Sequence, residues 1–310
     1  MATPVTNTFT TDDQVGVRES ISDIIVKVDP VTTPLYSNLR KTRAKSPLHE
    51  FQSWTSSEAP PVNIDYKLEG EQPDRNIAEP NLLLNNPTSI LSKDYLVSGT
   101  LAAVDVAGRP NEMAWQRTVR ALDLRAQVES ALLADNIKVL TDSPRENAGL
   151  PNYADGGNGS ALNTILTPAH TPDALETSMQ LLKGKGVVGR TVLMLPANKS
   201  VFSATAATAS AKNVEAAFTS RMPPLWFGAV SVYLTDLGVV QMVVDRYLDE
   251  TLDASFVFDD KHLAVAEVPG RAFVEKPLGQ VGDALQRLLV WEGTLEAGSP
   301  SSIATMGAFV

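Results

Sequence analysis

The sequence has no cysteine among its 310 residues. This absence excludes disulfide frameworks, cysteine-based zinc sites and thiol nucleophiles. Histidine is scarce as well, since His49, His170 and His262 lie far apart and have no HExxH or HxH spacing that would gather them around one metal. We therefore expect each histidine to be a surface or hydrogen-bonded residue, and we predict neither a metal site nor a cofactor.

Long apolar runs and an excess of positive charge are also missing. No stretch reaches the length of a membrane span, and residues 1–13 (MATPVTNTFTTDD) lack the basic and apolar segments of a signal peptide. Lys and Arg number 26 against 36 Asp and Glu, which gives a formal net charge of −10. A chain this acidic lacks the net attraction for phosphate that drives most non-specific nucleic-acid binding. We predict a soluble, non-exported protein with no membrane contact.

Catalytic motifs are lacking too. Residues 184–191 (GKGVVGRT) approach the phosphate loop GxxxxGK[ST], but Arg190 stands where the lysine belongs. A phosphate loop also needs a strand before it and a helix after it, whereas the patterns here predict a helix followed by a strand. We interpret this segment as a helix-to-strand turn. The glycine-rich residues 155–159 lack the spaced carboxylates of a calcium loop.

Other candidate residues have simpler interpretations than catalysis. The carboxylate pairs Glu69 with Glu71 and Asp259 with Asp260 lie in loop-like stretches, so we interpret them as solvated loop charge. The tryptophans are spread over all regions and are expected to be core or subunit-contact residues. They are Trp54, Trp115, Trp226 and Trp291. We predict no catalytic residue.

The first third of the chain cannot build a core of its own. Residues 1–45 carry short apolar patches broken by proline, which predicts an arm that lies on another surface. Strand-like runs at 48–54 and 89–97 then flank residues 57–87, which are rich in proline, asparagine and charge. Two extended segments joined by a long polar stretch favour a protruding two-stranded loop that contacts other subunits.

The strongest helical pattern runs from about residue 110 to about residue 140. Pro110 suits a first helical turn, and Leu124, Val128 and Leu132 recur at i, i+4 and i+8 while charged residues fill the other faces. A helix of ~30 residues would be ~45 Å long. Such a helix needs packing partners along its whole length.

The remaining patterns alternate between helix and strand. Thr171 is the expected N-cap of a helix that continues through Pro172 and stops at Gly184, followed by a buried strand at 191–195. Residues 203–218 are either helical or a mobile loop. The last third reads as a hairpin around residues 236–238 and as strands at 256–258, 263–268, 272–274 and 288–295. This order predicts an α+β fold.

Many short blocks of the sequence resemble the major capsid proteins of tailed bacteriophages with the Hong Kong-type (Johnson) capsid fold. The N-terminal blocks are 7–12 (NTFTTD), 16–19 (GVRE), 22–23 (SD), 30–34 (PVTTP) and 48–54 (LHEFQSW). The central blocks are 97–100 (VSGT), 107–109 (AGR), 112–116 (EMAWQ) and 129–133 (ESALL). The C-terminal blocks are 245–247 (DRY), 276–278 (KPL), 282–283 (GD) and 290–295 (VWEGTL). None is a chemical motif, so the resemblance is collective.

The resemblance implies a division of the chain into the parts of a capsid subunit. These parts are an N-terminal arm at 1–45, an extended β loop at 46–99, a peripheral domain at 100–164 with a spine helix at about 110–140, an axial domain at 165–245 and C-terminal strands at 246–310 that return to the peripheral domain. Covalent cross-linking through a loop lysine occurs within this fold. Lys67 lies in the expected loop tip, but no matching motif assigns that chemistry to it.

The function that the resemblance implies is self-assembly and not catalysis. The expected product is an icosahedral or prolate shell of hexamers and pentamers around double-stranded phage DNA, assembled in the bacterial cytoplasm. Expected partners are other copies of the chain, a portal, a separate scaffolding protein, a cement protein and packaged DNA in weak non-specific contact. The alternative is an encapsulin-like cellular nanocompartment shell, although such shells usually begin with a helix. A third class, an enzyme or small-ligand binder, has no site to support it.

Overall fold

The computed structural model describes residues 33–53, 66–71, 81–104, 111–140, 144–154, 164–165, 170–208, 232–279 and 282–307. The α-helices are α1 (Pro34–Asn38), α2 (Gly99–Ala103), α3 (Glu112–Leu133), α4 (Leu150–Ala154), α5 (Pro172–Gly184) and α6 (Pro196–Thr208). The N-terminal strands are β1 (Arg40–Arg43), β2 (Leu48–Ser53), β3 (Leu82–Pro87), β4 (Ser89–Ser98) and β5 (Thr164–Ile165). The others are β6 (Thr191–Met194), β7 (Val232–Thr235), β8 (Gly238–Val244), β9 (Ala254–Phe258), β10 (Leu263–Glu267), β11 (Val274–Pro277), β12 (Ala284–Ala297) and β13 (Ile303–Gly307). The predicted α+β class is confirmed.

The strands form two larger sheets and one ribbon. One sheet has the order β1-β10-β12-β11, with β4 also paired to β12, and the other has the order β5-β13-β9-β6-β8-β7. Strands β2 and β3 form the ribbon. Strands β10 to β12 join the first sheet, whereas β9 and β13 join the second, so the last third of the chain contributes to both sheets. The division into named domains stays a prediction.

Two hydrophobic cores lie on either side of strand β9. Phe256 and Phe258 belong to the core shared with α3, whereas Val257 between them belongs to the core covered by α5 and α6. Alternate residues of a strand point to opposite faces, and each residue of β9 is buried. A strand buried on both faces reads as a continuous apolar run, which explains the strong strand signal at 256–258.

Helix α3 is shorter than the sequence predicts. Its N-cap is Asn111, whose side-chain oxygen accepts a hydrogen bond from the Ala114 amide at 3.1 Å. The helix ends at Leu133 after 22 residues, or ~33 Å, so the predicted span of about 110–140 is too long. Ile137 is 75% exposed, so continuing the helix would add little burial there. The predicted stripe is confirmed, because Leu124, Val128 and Leu132 are all fully buried.

Helix α5 has the predicted boundaries. The Thr171 hydroxyl accepts a hydrogen bond from the Ala174 amide at 3.3 Å, and the helix ends at Gly184. Gly186 has φ +79°, and strand β6 follows, so residues 184–191 form the predicted helix-to-strand turn. Helix α6 begins at Pro196, earlier than residue 203, because proline suits a first helical turn. Residues 209–218 lie outside the described residues.

The pairing of the predicted two-stranded loop is wrong in one respect. Strand β2 pairs with β3, which falls inside the stretch expected to be polar and protruding, and not with β4. Strand β4 instead pairs with β12 along its whole length from Ser89 to Ser98. The reason is burial, since Leu84 and Asn86 of β3 and Tyr95 and Val97 of β4 all face the interior of the subunit. The hairpin of β7 and β8 around residues 236–238 is confirmed.

Candidate functional site

The described part of the predicted arm is anchored in its own subunit. Strand β1 pairs in parallel with β10, and Leu35 of α1 is buried in the main core. Tyr36 donates its hydroxyl hydrogen bond to Glu267, which also accepts from Trp291 Nε1 at 3.0 Å. Residues 33–45 therefore form a fixed base, while residues 1–32 lie outside the described residues.

A buried acid on α3 holds this base in place. Glu129 is fully buried, and its two carboxylate oxygens accept hydrogen bonds from the Leu35 amide at 2.6 Å and the Tyr36 amide at 2.8 Å. These amides belong to the first turn of α1, whose own N-cap residue, Thr33, makes no side-chain capping bond. Glu129 thus caps a helix more than 90 residues away in sequence. Sequence periodicity placed Glu129 among the charged outer faces of α3, which was wrong.

A second carboxyl group faces Glu129. Asp245 follows β8, is buried, and accepts a hydrogen bond from the Tyr247 amide at 2.8 Å. Burial and the hydrogen-bonded Asp245 together raise the pKa of Glu129 to about 8, and burial also raises the pKa of Asp245. Asp245 Oδ2 has no hydrogen-bond partner within the described part of the chain. A proton held between the two carboxyl groups satisfies that oxygen at neutral pH.

The histidines lie in separate places. His49 Nε2 is 3.2 Å from Glu296 Oε2, and His262 lies in the turn before β10. His170 is buried, with Nδ1 3.1 Å from the Ser255 hydroxyl and Nε2 3.2 Å from Asp253 Oδ1. Among the residues described, no group of three or more histidine or acidic side chains could hold a metal ion.

The Ser255–His170–Asp253 arrangement has the residue types of a hydrolase triad but not its accessibility. Ser255 is fully buried within β9, so its hydroxyl cannot reach a substrate carbonyl. The histidine bridges the residue before α5 to the two residues at the start of β9, which fixes α5 against the second sheet. Sequence reasoning missed this contact because Ser255 and His170 are 85 residues apart.

The two carboxylate pairs have different surroundings. Glu69 and Glu71 are exposed, as expected of loop charge. Asp259 is buried, accepts a hydrogen bond from the Lys261 amide at 3.2 Å and lies 4.0 Å from Arg190 Nε. Asp260 accepts a hydrogen bond from Thr191 at 3.1 Å, and burial raises its pKa. The interpretation of Asp259 and Asp260 as solvated charge was therefore wrong, since they fix the turn between β9 and β10.

The tryptophans that can be placed are packing residues. Trp291 of β12 is fully buried in the main core, and Trp115 lies half-buried in the first turn of α3. Trp54 and Trp226 lie outside the described residues.

Large apolar side chains are exposed at several places on the subunit. Tyr66 and Leu68, in the segment 66–71, are 85% and 79% exposed. Leu96 and Val104 are more than half exposed beside α2. An open groove of about 650 Å³ runs between α1, α3 and the residue before β11. Contiguous apolar surface of this kind marks sites of protein contact.

The family comparison assigns the whole chain. The model of the family described as SU10 major capsid protein matches residues 4–308. The chain belongs to that family. The capsid family's named role is structural, and the resemblance seen in the sequence blocks is confirmed. No curated protein matches this capsid protein significantly.

Solved capsid structures share the fold of this capsid protein at low sequence identity. The capsid of cyanophage A-1(L) has a TM-score of 0.67 and 14% identity, with 97% of this chain and 98% of that chain covered. The capsid of cyanophage P-SCSP1u has a TM-score of 0.62, 12% identity and coverage of 97% and 95%. The holo-SrpI encapsulin of Synechococcus elongatus PCC 7942 has a TM-score of 0.62, 11% identity and coverage of 94% and 92%. These likenesses establish the Hong Kong-type capsid fold.

None of the helices in the described segments is both long and apolar enough to cross a membrane.

Proposed function

We propose that this capsid protein assembles into hexamers and pentamers of an icosahedral or prolate shell that encloses the double-stranded DNA genome of a tailed phage. The observation that carries the proposal is the match of the capsid family over residues 4–308. The exposed apolar side chains of segment 66–71 and of the α3 groove support it, because they are surfaces that assembly can bury. The proposed role is structural, with no enzymatic activity.

The proposed partners follow from that role. They are other copies of the chain, a portal and a separate scaffolding protein, with a cement protein on the outer surface. Packaged DNA makes weak, non-specific contact, which fits a formal net charge of −10. The proposed location is the virion capsid, after assembly in the host cytoplasm.

Electron microscopy of the purified recombinant protein tests the proposal. We expect closed shells, either from the chain alone or when candidate scaffolding proteins are co-expressed. A protein that stays strictly monomeric under all these conditions would contradict the proposal.

The second candidate is the shell of a cellular nanocompartment, which the structural likeness to SrpI encapsulin favours. Both candidates predict a shell, so its contents discriminate between them. Nuclease-protected genomic DNA inside native particles supports the phage shell, whereas an enclosed enzyme and no genome support the nanocompartment.

A further inference from the structure

The segment 66–71 is a preformed turn. The Glu71 amide donates a hydrogen bond to the Leu68 carbonyl at 3.0 Å, and the Leu68 amide donates one to Glu71 Oε2 at 2.8 Å. Gly70 has φ +82°, as the third position of a type II turn requires. The turn is therefore ordered by its own bonds, and it presents Tyr66 and Leu68 to solvent.

Tyr66 and Leu68 are the two most exposed large apolar side chains in the described residues. A solvated tyrosine and leucine one residue apart, on an ordered turn, have no role in the core of their own subunit. Glu69 and Glu71 add two exposed acids to the same turn. Residues 54–80 carry six acidic and two basic side chains, a net charge of −4. The turn is thus an apolar tip within an acidic segment.

The groove beside α3 has the complementary chemistry. Its apolar lining comes from α1, α3 and the residue before β11, and two arginines of α3 reach toward solvent. The lining residues used here are Tyr36, Ala121, Leu122, Phe273, Arg117 and Arg125. A cleft of about 650 Å³ is large enough for two side chains of a bound turn.

The arginines give the groove a positive edge. Arg117 is paired with Glu275 at 3.1 Å, although its side chain is 62% exposed. Arg125 contacts the Ser37 hydroxyl at 3.4 Å and the Tyr36 ring at 5.9 Å, and it meets no carboxylate within the described residues. A carboxylate that approaches the groove would therefore find Arg125 available.

We propose that the 66–71 turn of one copy packs into the α3 groove of a second copy, with Tyr66 and Leu68 on the apolar lining and Glu69 beside Arg125. The inference rests on the proposed self-assembly. The 12 residues from 54 to 65 can span at most ~40 Å, which lets the turn reach a neighbouring subunit. Apolar burial provides the contact, and the charges set its register.

Cysteine cross-linking tests the contact directly, because the chain has no cysteine of its own. Subunits carrying Leu68→Cys are co-assembled with size-tagged subunits carrying Ala121→Cys, and a short bis-maleimide is added to the isolated shells. Two separate chains are used so that only a contact between copies gives the mixed dimer. The matched control replaces Ala121→Cys by Ile137→Cys, at an exposed position of 75% outside the groove.

The expected result is a mixed dimer at least tenfold more abundant than in the control pair. Shells that form without this excess would overturn the proposed contact and leave the proposed function standing. An unaltered chain that forms no shell with any scaffold would overturn the proposed function. A mixed dimer in small oligomers would then still support the contact.

Charge reversal provides a second measurement that does not depend on cysteine. Arg125→Glu should lower the shell yield about tenfold, and Glu69→Arg on the same chain should restore it to within about threefold. Lys199→Glu, on the exposed face of α6, is the control and should leave the yield unchanged. Thermal melting of each subunit separates assembly from folding. A double variant that assembles no better than Arg125→Glu alone counts against the pairing of these two residues.

Discussion

Glu129 shows how one residue can join three parts of the subunit. Its backbone belongs to α3, its carboxylate caps α1, and its neighbour Asp245 ends β8. A buried carboxylate is costly unless its oxygens are satisfied, and here the two amides of α1 and a shared proton satisfy them. The base of the arm is therefore fixed by the same group that the helix would otherwise expose to solvent.

The raised pKa of Glu129 predicts that the stability of the subunit falls as pH rises. The folded state holds a proton up to a pKa of about 8, whereas the unfolded chain releases it near the ordinary value of 4.5. Below pH 4.5 both states are protonated, so the stabilising contribution is fully present there and is lost progressively as the pH approaches 8. We expect a slope of at most ~1.4 kcal/mol per pH unit in the free energy of unfolding.

Glu129→Gln should flatten this dependence, because the amide cannot ionise. Urea unfolding between pH 5 and pH 8 measures the slope for the original chain and the variant. Glu50→Gln, at an exposed position of β2, serves as the control and should keep the original slope. An equal slope in the original chain and Glu129→Gln would show that another group is responsible.

Val128 tests the apolar stripe of α3. It is fully buried in the main core, so Val128→Asp places an unpaired charge there and should destabilise the subunit by roughly 3–5 kcal/mol. Gln127 is exposed on the same helix, and Gln127→Asp should change stability by less than ~0.5 kcal/mol. Soluble yield and melting temperature report both effects, and equal values for the two variants would refute the placement of the stripe.

At the scale of elements, strand β3 is held by a single polar side chain. Asn86 donates hydrogen bonds to the carbonyls of Ala148 at 3.1 Å and Leu295 at 2.8 Å. Its own oxygen accepts one from the Ala148 amide at 2.9 Å. The ribbon of β2 and β3 is thereby joined to β12 and to the segment before α4. The base of the predicted loop belongs to the subunit core for this reason.

Asn86→Ala should weaken this junction. The substitution leaves the Ala148 amide and the Leu295 carbonyl buried without their partner, at a cost of roughly 2–4 kcal/mol in the free energy of unfolding. Asn85→Ala is the neighbouring control, since Asn85 is half-buried and accepts one bond from Lys138. Denaturant unfolding of both variants checks the prediction, and a loss no larger than that of the control would contradict it.

At the scale of the whole molecule, the surfaces for assembly and the core separate within the region 46–99. Removal of residues 57–87, the stretch that sequence marked as a contact loop, would also remove β3 and Asn86. Replacement of residues 56–80 by a short Gly–Ser linker keeps the ribbon, because Ser53 and Leu82 are paired neighbours. We expect this chain to fold with a melting temperature within a few degrees of the original and to form no stable shell.

A scrambled sequence of equal length and composition at residues 56–80 is the control for loop length. It should also fail to assemble, because the turn at 66–71 is lost. Electron microscopy and sedimentation measure the outcome. Normal shells from the shortened chain would show that the loop is dispensable.

Local sequence signals predicted the elements that local physics determines. The Thr171 cap, Pro172 and Gly184 gave the limits of α5, and alternation around residues 236–238 gave a hairpin. The end of α3 was missed because Ile137 continues the apolar pattern without being buried. Strand β3 was missed because it follows a polar stretch, and strand pairing is decided by distant partners.

By itself, the sequence determined the fold class, the stripe of α3, the absence of cysteine chemistry and the family to which the chain belongs. These properties follow from composition, periodicity and short blocks that need no knowledge of distant contacts. Only the tertiary structure decided that Glu129 caps α1, that Asp259 is buried, and that β4 pairs with β12. The physical reason is that burial and hydrogen bonding between residues far apart in sequence change what a polar side chain does, and the chain alone does not reveal those neighbours.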